Sequence, residues 1–145
     1  MLLDDTIPPL ASYTTRALVD MFAIRRDTAV IRRAALCVFR ELGPGLSECI
    51  YQNALHAELG ANGICSKEVV SAVQYKGRSV GFHRYDLVYN ATILEIKTTK
   101  LRVTRAPAAF RAQAAKYARH KRGEHSSVVL VVFTPAAVIV LVVPH

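Results

Sequence analysis

Three residues near the middle of the chain carry side chains and a spacing that could do chemistry: Asp86, Glu95 and Lys97, in the run RYDLVYNATILEIKTTK. Read with the period-two alternation of a β-strand, Asp86 and Val88 share one face, and Glu95 and Lys97 share one face of the next strand. With Asn90-Ala91 as a two-residue hairpin loop, Tyr89 faces Thr92, Val88 faces Ile93, Leu87 faces Leu94 and Asp86 faces Glu95. Directly opposed residues stand about 4.5–5.5 Å apart at Cβ. Two carboxylates at that separation repel unless a cation lies between them. A hard divalent ion such as Mg2+, or Mn2+ in its place, takes one or two carboxylates together with water and phosphate oxygens. Lys97 would point an ammonium group into the same space. Triplets of this spacing also arise as solvated charges on a sheet face. Against that reading stand the flanks Leu87, Val88, Ile93, Leu94 and Ile96, which describe a central sheet buried on both faces, where an unpaired charge is costly.

The elements that must position these residues can be read along the chain. Residues 1–24 hold acids, Pro8-Pro9 and Ser/Thr, and read as a loose arm with a short helix near Arg16–Ile24. Asp27 or Thr28 is placed to cap a helix running to Leu42, which Gly43-Pro44-Gly45 ends. Ser47 starts a second helix, from Glu48 to Ala61. Strands are expected over Lys67–Tyr75, Ser79–Tyr89 and Thr92–Thr98, with a Lys76-Gly77-Arg78 turn. Pro107 opens a further helix that runs to Arg122, with Gly123 beyond it. The C-terminal SSVVLVVFTPAAVIVLVVP is too short for a spanning helix and is broken by Thr134-Pro135, so it reads as two buried strands, 127–133 and 137–143. The order α-α-β-β-β-α-β-β makes an α/β (mixed α+β) domain with helices packed on a mixed sheet.

The net charge is +8 over 145 residues, and its distribution tells more than its sum. Residues 96–123 hold nine Lys or Arg and no acid, so the whole excess follows the candidate site. Lys100, Arg102, Arg105, Arg111, Lys116 and Arg119 fit a surface that grips a polyanion, most simply nucleic acid. The alternatives are a solvated basic face, or a basic face that meets an acidic protein. Cys37, Cys49 and Cys65 are widely spaced and without C-x-x-C pairs. They suit a reducing compartment and a buried role, which with the lack of a signal-peptide pattern points to an intracellular, cytoplasmic or nuclear protein that is not secreted.

Two further residues bear on the site. Glu48 lies on the same arc of its helix as Leu55 and Leu59. It either faces the same cation as Asp86 and Glu95 or simply occupies the first helical turn, where the helix dipole favours a negative charge. Gln113 sits at the edge of the apolar face formed by Phe110, Ala114 and Tyr117. It is placed to reach a phosphate or to steady Lys97, or it is a boundary residue. The five histidines show no metal-ligand spacing.

Gly45-Leu46-Ser47-Glu48-Cys49-Ile50-Tyr51 reads G-x-x-E-x-x-Y. With Tyr75-Lys76-Gly77, Arg84-Tyr85-Asp86-Leu87, Glu95-Ile96-Lys97 and the Gln113/Tyr117 helix in the same order, the chain resembles the GxxExxY family of the PD-(D/E)xK nuclease-like superfamily. The resemblance covers residues 27–145 and leaves 1–26 as an N-terminal arm. Tyr85 stands where a small apolar residue is usual, and the stretch 98–105 is unusually basic. The resemblance implies a restriction-endonuclease-like core and metal-dependent hydrolysis of nucleic-acid phosphodiesters, DNA first among them. Asp86, Glu95, the Ile96 carbonyl and Glu48 would hold Mg2+ or Mn2+. Lys97 and Gln113 would complete the catalytic set, with Tyr117 supporting. The basic residues and Tyr117 would contact the strand. A non-cleaving nucleic-acid-binding module on the same fold is the alternative. By analogy with junction resolvases, a small domain without a reader module would work as a homodimer.

Overall fold

The apolar runs on either side of Asn90-Ala91 pair as their alternation requires, and the rest of the sheet is built outward from that hairpin. The computed structural model describes residues 14–121, 125 and 127–144. Helices α1 (Thr15–Leu42) and α2 (Glu48–Gly60) precede strands β1 (Cys65–Tyr75), β2 (Arg78–Tyr89) and β3 (Thr92–Thr98). Helix α3 (Ala108–His120) and strands β4 (Ser127–Phe133) and β5 (Val138–Val143) complete the chain. The sheet order is β1-β2-β3-β4-β5. β3 and β4 run parallel, joined through α3, and the other neighbours are antiparallel.

Both faces of the sheet are covered. On one side Ile31, Ala35 and Val38 of α1 and Tyr51, Leu55 and Leu59 of α2 meet Leu87, Leu94, Ile96, Val129, Val131 and Val140. On the other, Ala114, Tyr117 and Ala118 of α3 meet Tyr85, Val88, Ile93, Val128, Leu130 and Val132. All seven residues of β4 are buried, which accounts for an uninterrupted apolar run with one strand on either side and helices above and below. The C-terminal apolar stretch is therefore the strand pair expected. Among the described residues no helix is long and apolar enough to cross a membrane.

The strands and the two later helices fall where the sequence places them, to within a residue or two. The first helix does not. The expected break before Asp27 is absent, because α1 runs unbroken from Thr15 to Leu42. Asp27 and Thr28 lie inside it, and neither caps an end. Asp27 is buried and its Oδ1 accepts from Asn90 Nδ2 at 3.0 Å, while Thr28 Oγ1 donates back to the Ile24 carbonyl at 2.8 Å. Asn90, with φ +53°, also accepts at its side-chain oxygen from Ile64 N. Asp27 thus ties α1 to the β2–β3 turn, a job that local capping rules cannot show. The arm residues 1–13 and the helix stop at Gly123 lie outside the described residues. The cysteines are free, as expected, but Cys37 and Cys49 are exposed and only Cys65 is half-buried, where burial lifts its thiol pKa to about 11.

Candidate active site

The site lies in a fork between β2 and β3. Their ladder runs Tyr89↔Thr92, Val88↔Ile93 and Leu87↔Leu94 and stops there. Asp86 and Glu95, the pair expected next, are not a ladder pair. Regular alternation would put Tyr85 with Leu87, yet Tyr85 packs with Val88 against α3, while Leu87 packs against α1 and α2. The twist of β2 therefore slips at Asp86. The neighbouring strand breaks at the same level: Lys67↔Leu87 and Val69↔Tyr85 pair, but Glu68 between them has φ +52° and no partner in the ladder.

What the ladder loses, the Asp86 side chain replaces. Ile96 N donates to Asp86 Oδ2 at 2.7 Å, so a carboxylate occupies the place of the missing strand carbonyl. Gln52 of α2 holds the same residue from behind, donating from Nε2 to the Asp86 carbonyl at 3.1 Å. Asp86 and Glu95 converge at this fork although their backbones do not pair. Each is pushed up in pKa, first by burial. For Glu95 the Asp86 charge is the next cause and the value reaches about 7. For Asp86 the Ile96 hydrogen bond and Lys97 oppose the rise.

Glu95 is 2% exposed. Its Oε1 faces Lys97 Nζ at 3.3 Å and accepts from Gln113 Nε2 at 3.2 Å. Its Oε2 is buried and, among the described residues, without a hydrogen-bond partner. A buried acceptor left unpaired is expensive, and one beside a second carboxylate is more so. That oxygen is the donor a cation would need. Among the described residues no group of three or more Asp, Glu, His or Cys stands ready as a metal cluster. Two converging carboxylates still suit an ion that keeps several waters, as Mg2+ does. Lys97 also lies 5.9 Å from the Phe110 ring centroid, which places its ammonium between β3 and α3.

Glu48 reaches the same end of the sheet by a route that depends on its neighbours in G-x-x-E-x-x-Y. Gly45 has φ +89°, a conformation an L side chain rarely takes, and the chain turns there into α2. Tyr51 lies on the buried face of α2, stacked on Phe133 with ring centroids 4.0 Å apart, and donates to the Gly43 carbonyl at 2.6 Å. Its hydroxyl also accepts from Leu46 N at 3.3 Å. So clamped, the loop sets Glu48 as the first residue of α2, where its Oε1 accepts from Thr98 N at 3.2 Å. Glu48 thus begins the helix, as one reading had it, and its charge adds to the rise in pKa of Asp86 and Glu95.

The structure sorts the remaining residues singled out from the sequence. Gln113 steadies Glu95, where Lys97 or a phosphate was expected. Tyr117 is buried, its hydroxyl donating to the Arg84 carbonyl at 3.3 Å and its ring edge-on to Tyr85 at 5.0 Å, so it supports the site from beneath and offers no surface to a ligand. Lys100, Arg102, Arg105, Arg111, Lys116 and Arg119 are all exposed. Arg105 and Arg111 line a groove with Ile139, Val140 and Leu141 of β5, two strands or about 10 Å from β3. Sequence reasoning missed Gln52. Its one signal was its place four residues after Glu48, on the same side of α2.

The profile of the PD-(D/E)XK nuclease superfamily matches residues 25–138. The chain belongs to that superfamily. Among curated proteins no relative matches. Of solved structures, the chain is similar to the one described as "Crystal structure of SSO0001", with a TM-score of 0.53 and 18% identity over 67% of this chain. The alignment spans half of that chain, and at such identity it speaks for the fold alone. The mixed five-stranded sheet flanked by helices is the restriction-endonuclease-like core of the PD-(D/E)XK superfamily. Membership points to nuclease-type chemistry on nucleic acid, and superfamily members typically use divalent metals.

Proposed function

We propose that this PD-(D/E)XK protein hydrolyses phosphodiester bonds of DNA with the help of Mg2+ or Mn2+. The observation that carries the reading is the unpartnered, buried Oε2 of Glu95 beside Asp86, with Lys97 bound to the other oxygen of the same carboxylate. Asp86, Glu95 and the Ile96 carbonyl would hold the ion, with Glu48 reaching it through water. When bound, such an ion lowers the pKa of a water ligand and offsets charge on the phosphoryl oxygens. Lys97 stabilises negative charge growing on the attacked phosphate and orients the nucleophile. Gln113 is a positioning residue, holding Glu95 with Oε2 turned to the fork. Lys100, Arg102 and Lys116 attract the backbone phosphates without reading sequence. The jobs that Gly45, Glu48 and Tyr51 perform around the α2 start support the finer placement in the GxxExxY family. The test is purified protein with Mg2+ or Mn2+ against single-stranded, duplex, flap and four-way DNA and matching RNA, beside Glu95→Ala. Metal-dependent products that the variant fails to make support the reading. Products unaffected by the variant or by EDTA refute it.

A further inference from the structure

Beyond Asp86, β1 and β2 leave the sheet together and continue as a two-stranded ribbon, from the pair Val69↔Tyr85 to Tyr75↔Arg78. Lys76 (φ +48°) and Gly77 (φ +78°) close it in a tight turn of the kind that matches strand twist. One face is occupied: His83 packs on Tyr117 and His120 of α3, at ring distances of 5.0 and 5.6 Å. Among the described residues the opposite face is bare. There Ala72 pairs with Phe82 and Val70 with Arg84, and Phe82 is 70% exposed and Val70 52%. Val80, at a register shift where it has no partner in the ladder, is 60% exposed. Tyr75 at the tip is 60% exposed, with Lys76 Nζ 5.4 Å from its ring centroid. Exposed apolar groups grouped this way on one element mark an interaction surface.

Charge chooses the occupant. From Val69 to Tyr85 the ribbon holds Lys76, Arg78 and Arg84 and not one Asp or Glu, although Arg84 at its base is ion-paired with Glu68 at 3.8 Å, which leaves Lys76 and Arg78 as the cations of the tip. Lys116 of α3 lies close enough to His83 to depress its pKa, after burial and His120. A second copy of the chain would bring the same cations against themselves, an unfavourable pairing. Exposed rings interleaved with an excess of cations are the surface on which unpaired bases stack while their phosphates are neutralised. We infer that the ribbon is a binding arm for single-stranded nucleic acid, with Phe82 and Tyr75 stacking on unpaired bases and Lys76 and Arg78 meeting the backbone. Phe82 lies four residues from Asp86 on the same strand, about 13 Å away. The inference rests on the nuclease reading for its purpose: the arm would deliver a single strand, or the unpaired part of a branched one, to the fork.

The test is fluorescence anisotropy of the full chain with a labelled 20-nucleotide single strand and the same sequence as duplex, in EDTA, so that cleavage plays no part. Phe82→Ala is expected to weaken single-strand binding about tenfold and duplex binding hardly at all, Phe82→Trp to restore it, and Tyr75→Ala to act like Phe82→Ala. Equal single-strand affinity for wild type, Phe82→Ala and Tyr75→Ala would overturn the inference. So would equal losses on single strand and duplex, or a dimer in light scattering that Phe82→Ala converts to monomer. Phe82 is mostly exposed, so its variants keep the fold, which circular dichroism checks. The two readings fail separately: cleavage lost in Glu95→Ala with Phe82→Ala binding like wild type sinks the arm alone, and selective single-strand loss without any cleavage sinks the nuclease alone.

Discussion

Glu95→Gln should make the metal-free protein more stable, by an amount that grows between about pH 5 and 7 and is constant above. Glu95 has its pKa raised from the usual 4.5 to about 7, by burial and then by Asp86. A carboxyl whose folded pKa is raised favours folding fully while it is neutral, below about 4.5, and that contribution is lost as pH rises through 7. At pH 8 the ionised group therefore costs the fold on the order of 3 kcal/mol relative to its neutral form. An amide keeps the shape without the charge. The Lys97 contact it gives up is already contained in that figure, because Lys97 opposes the rise in the Glu95 pKa. The gain at pH 8 is therefore about 3 kcal/mol, or about 10 °C in Tm for a domain of this size. At pH 5 the two proteins should melt together. The assay is thermal denaturation in EDTA at pH 5, 6, 7 and 8. Saturating Mg2+ should raise the wild type and leave the variant where it was, because ligands that bind only the folded state stabilise it. A gain independent of pH, or a less stable variant at pH 8, would refute the placing of Glu95 in a repulsive, cation-seeking fork.

Three other substitutions read different links of the same chain of reasons. Tyr51→Phe removes the hydroxyl that accepts from Leu46 N and donates to Gly43, and should cost about 1–2 kcal/mol in urea denaturation, with no change if the loop is held by stacking alone. Asp27→Ala removes the acceptor of the exposed Asn90 amide and should cost about 0.5–1.5 kcal/mol; an Asp27→Ala protein as stable as wild type would show the α1-to-hairpin tie to be idle. Gln113→Leu takes a donor away from Glu95, favours its neutral form and should move the acidic limb of the cleavage profile to higher pH; an unshifted limb with a uniformly lower rate would assign Gln113 a structural part only.

Much of this was legible in the sequence because it is written in short-range patterns. The β2–β3 hairpin follows from alternation on both sides of Asn90-Ala91, and the C-terminal strands follow from Val/Ile runs split by Thr134-Pro135. Asp86, Glu95 and Lys97 were readable as a group for the same reason. The geometry that joins them was not. Perfect alternation makes Asp86 and Glu95 ladder partners, whereas β2 slips at Asp86 and lends its carboxylate to Ile96 N. Such a slip depends on Gln52 and on the matching break at Glu68, which are distant in sequence. Asp27 failed in the same way: a good capping residue locally, it is taken into a long helix by a partner 63 residues away. The basic residues were legible as charge and not as place, so Arg105 and Arg111 turned out to sit by β5.

The claim on which the rest depends is that Asp86 and Glu95 share a divalent ion. Titration of Mn2+ followed by electron paramagnetic resonance, without nucleic acid, measures it directly. The account predicts one bound ion per wild-type chain, a loss of that site in Asp86→Asn and in Glu95→Gln, and its retention in Lys97→Met. Equal Mn2+ binding by all four proteins, or none by the wild type at millimolar metal, would contradict it.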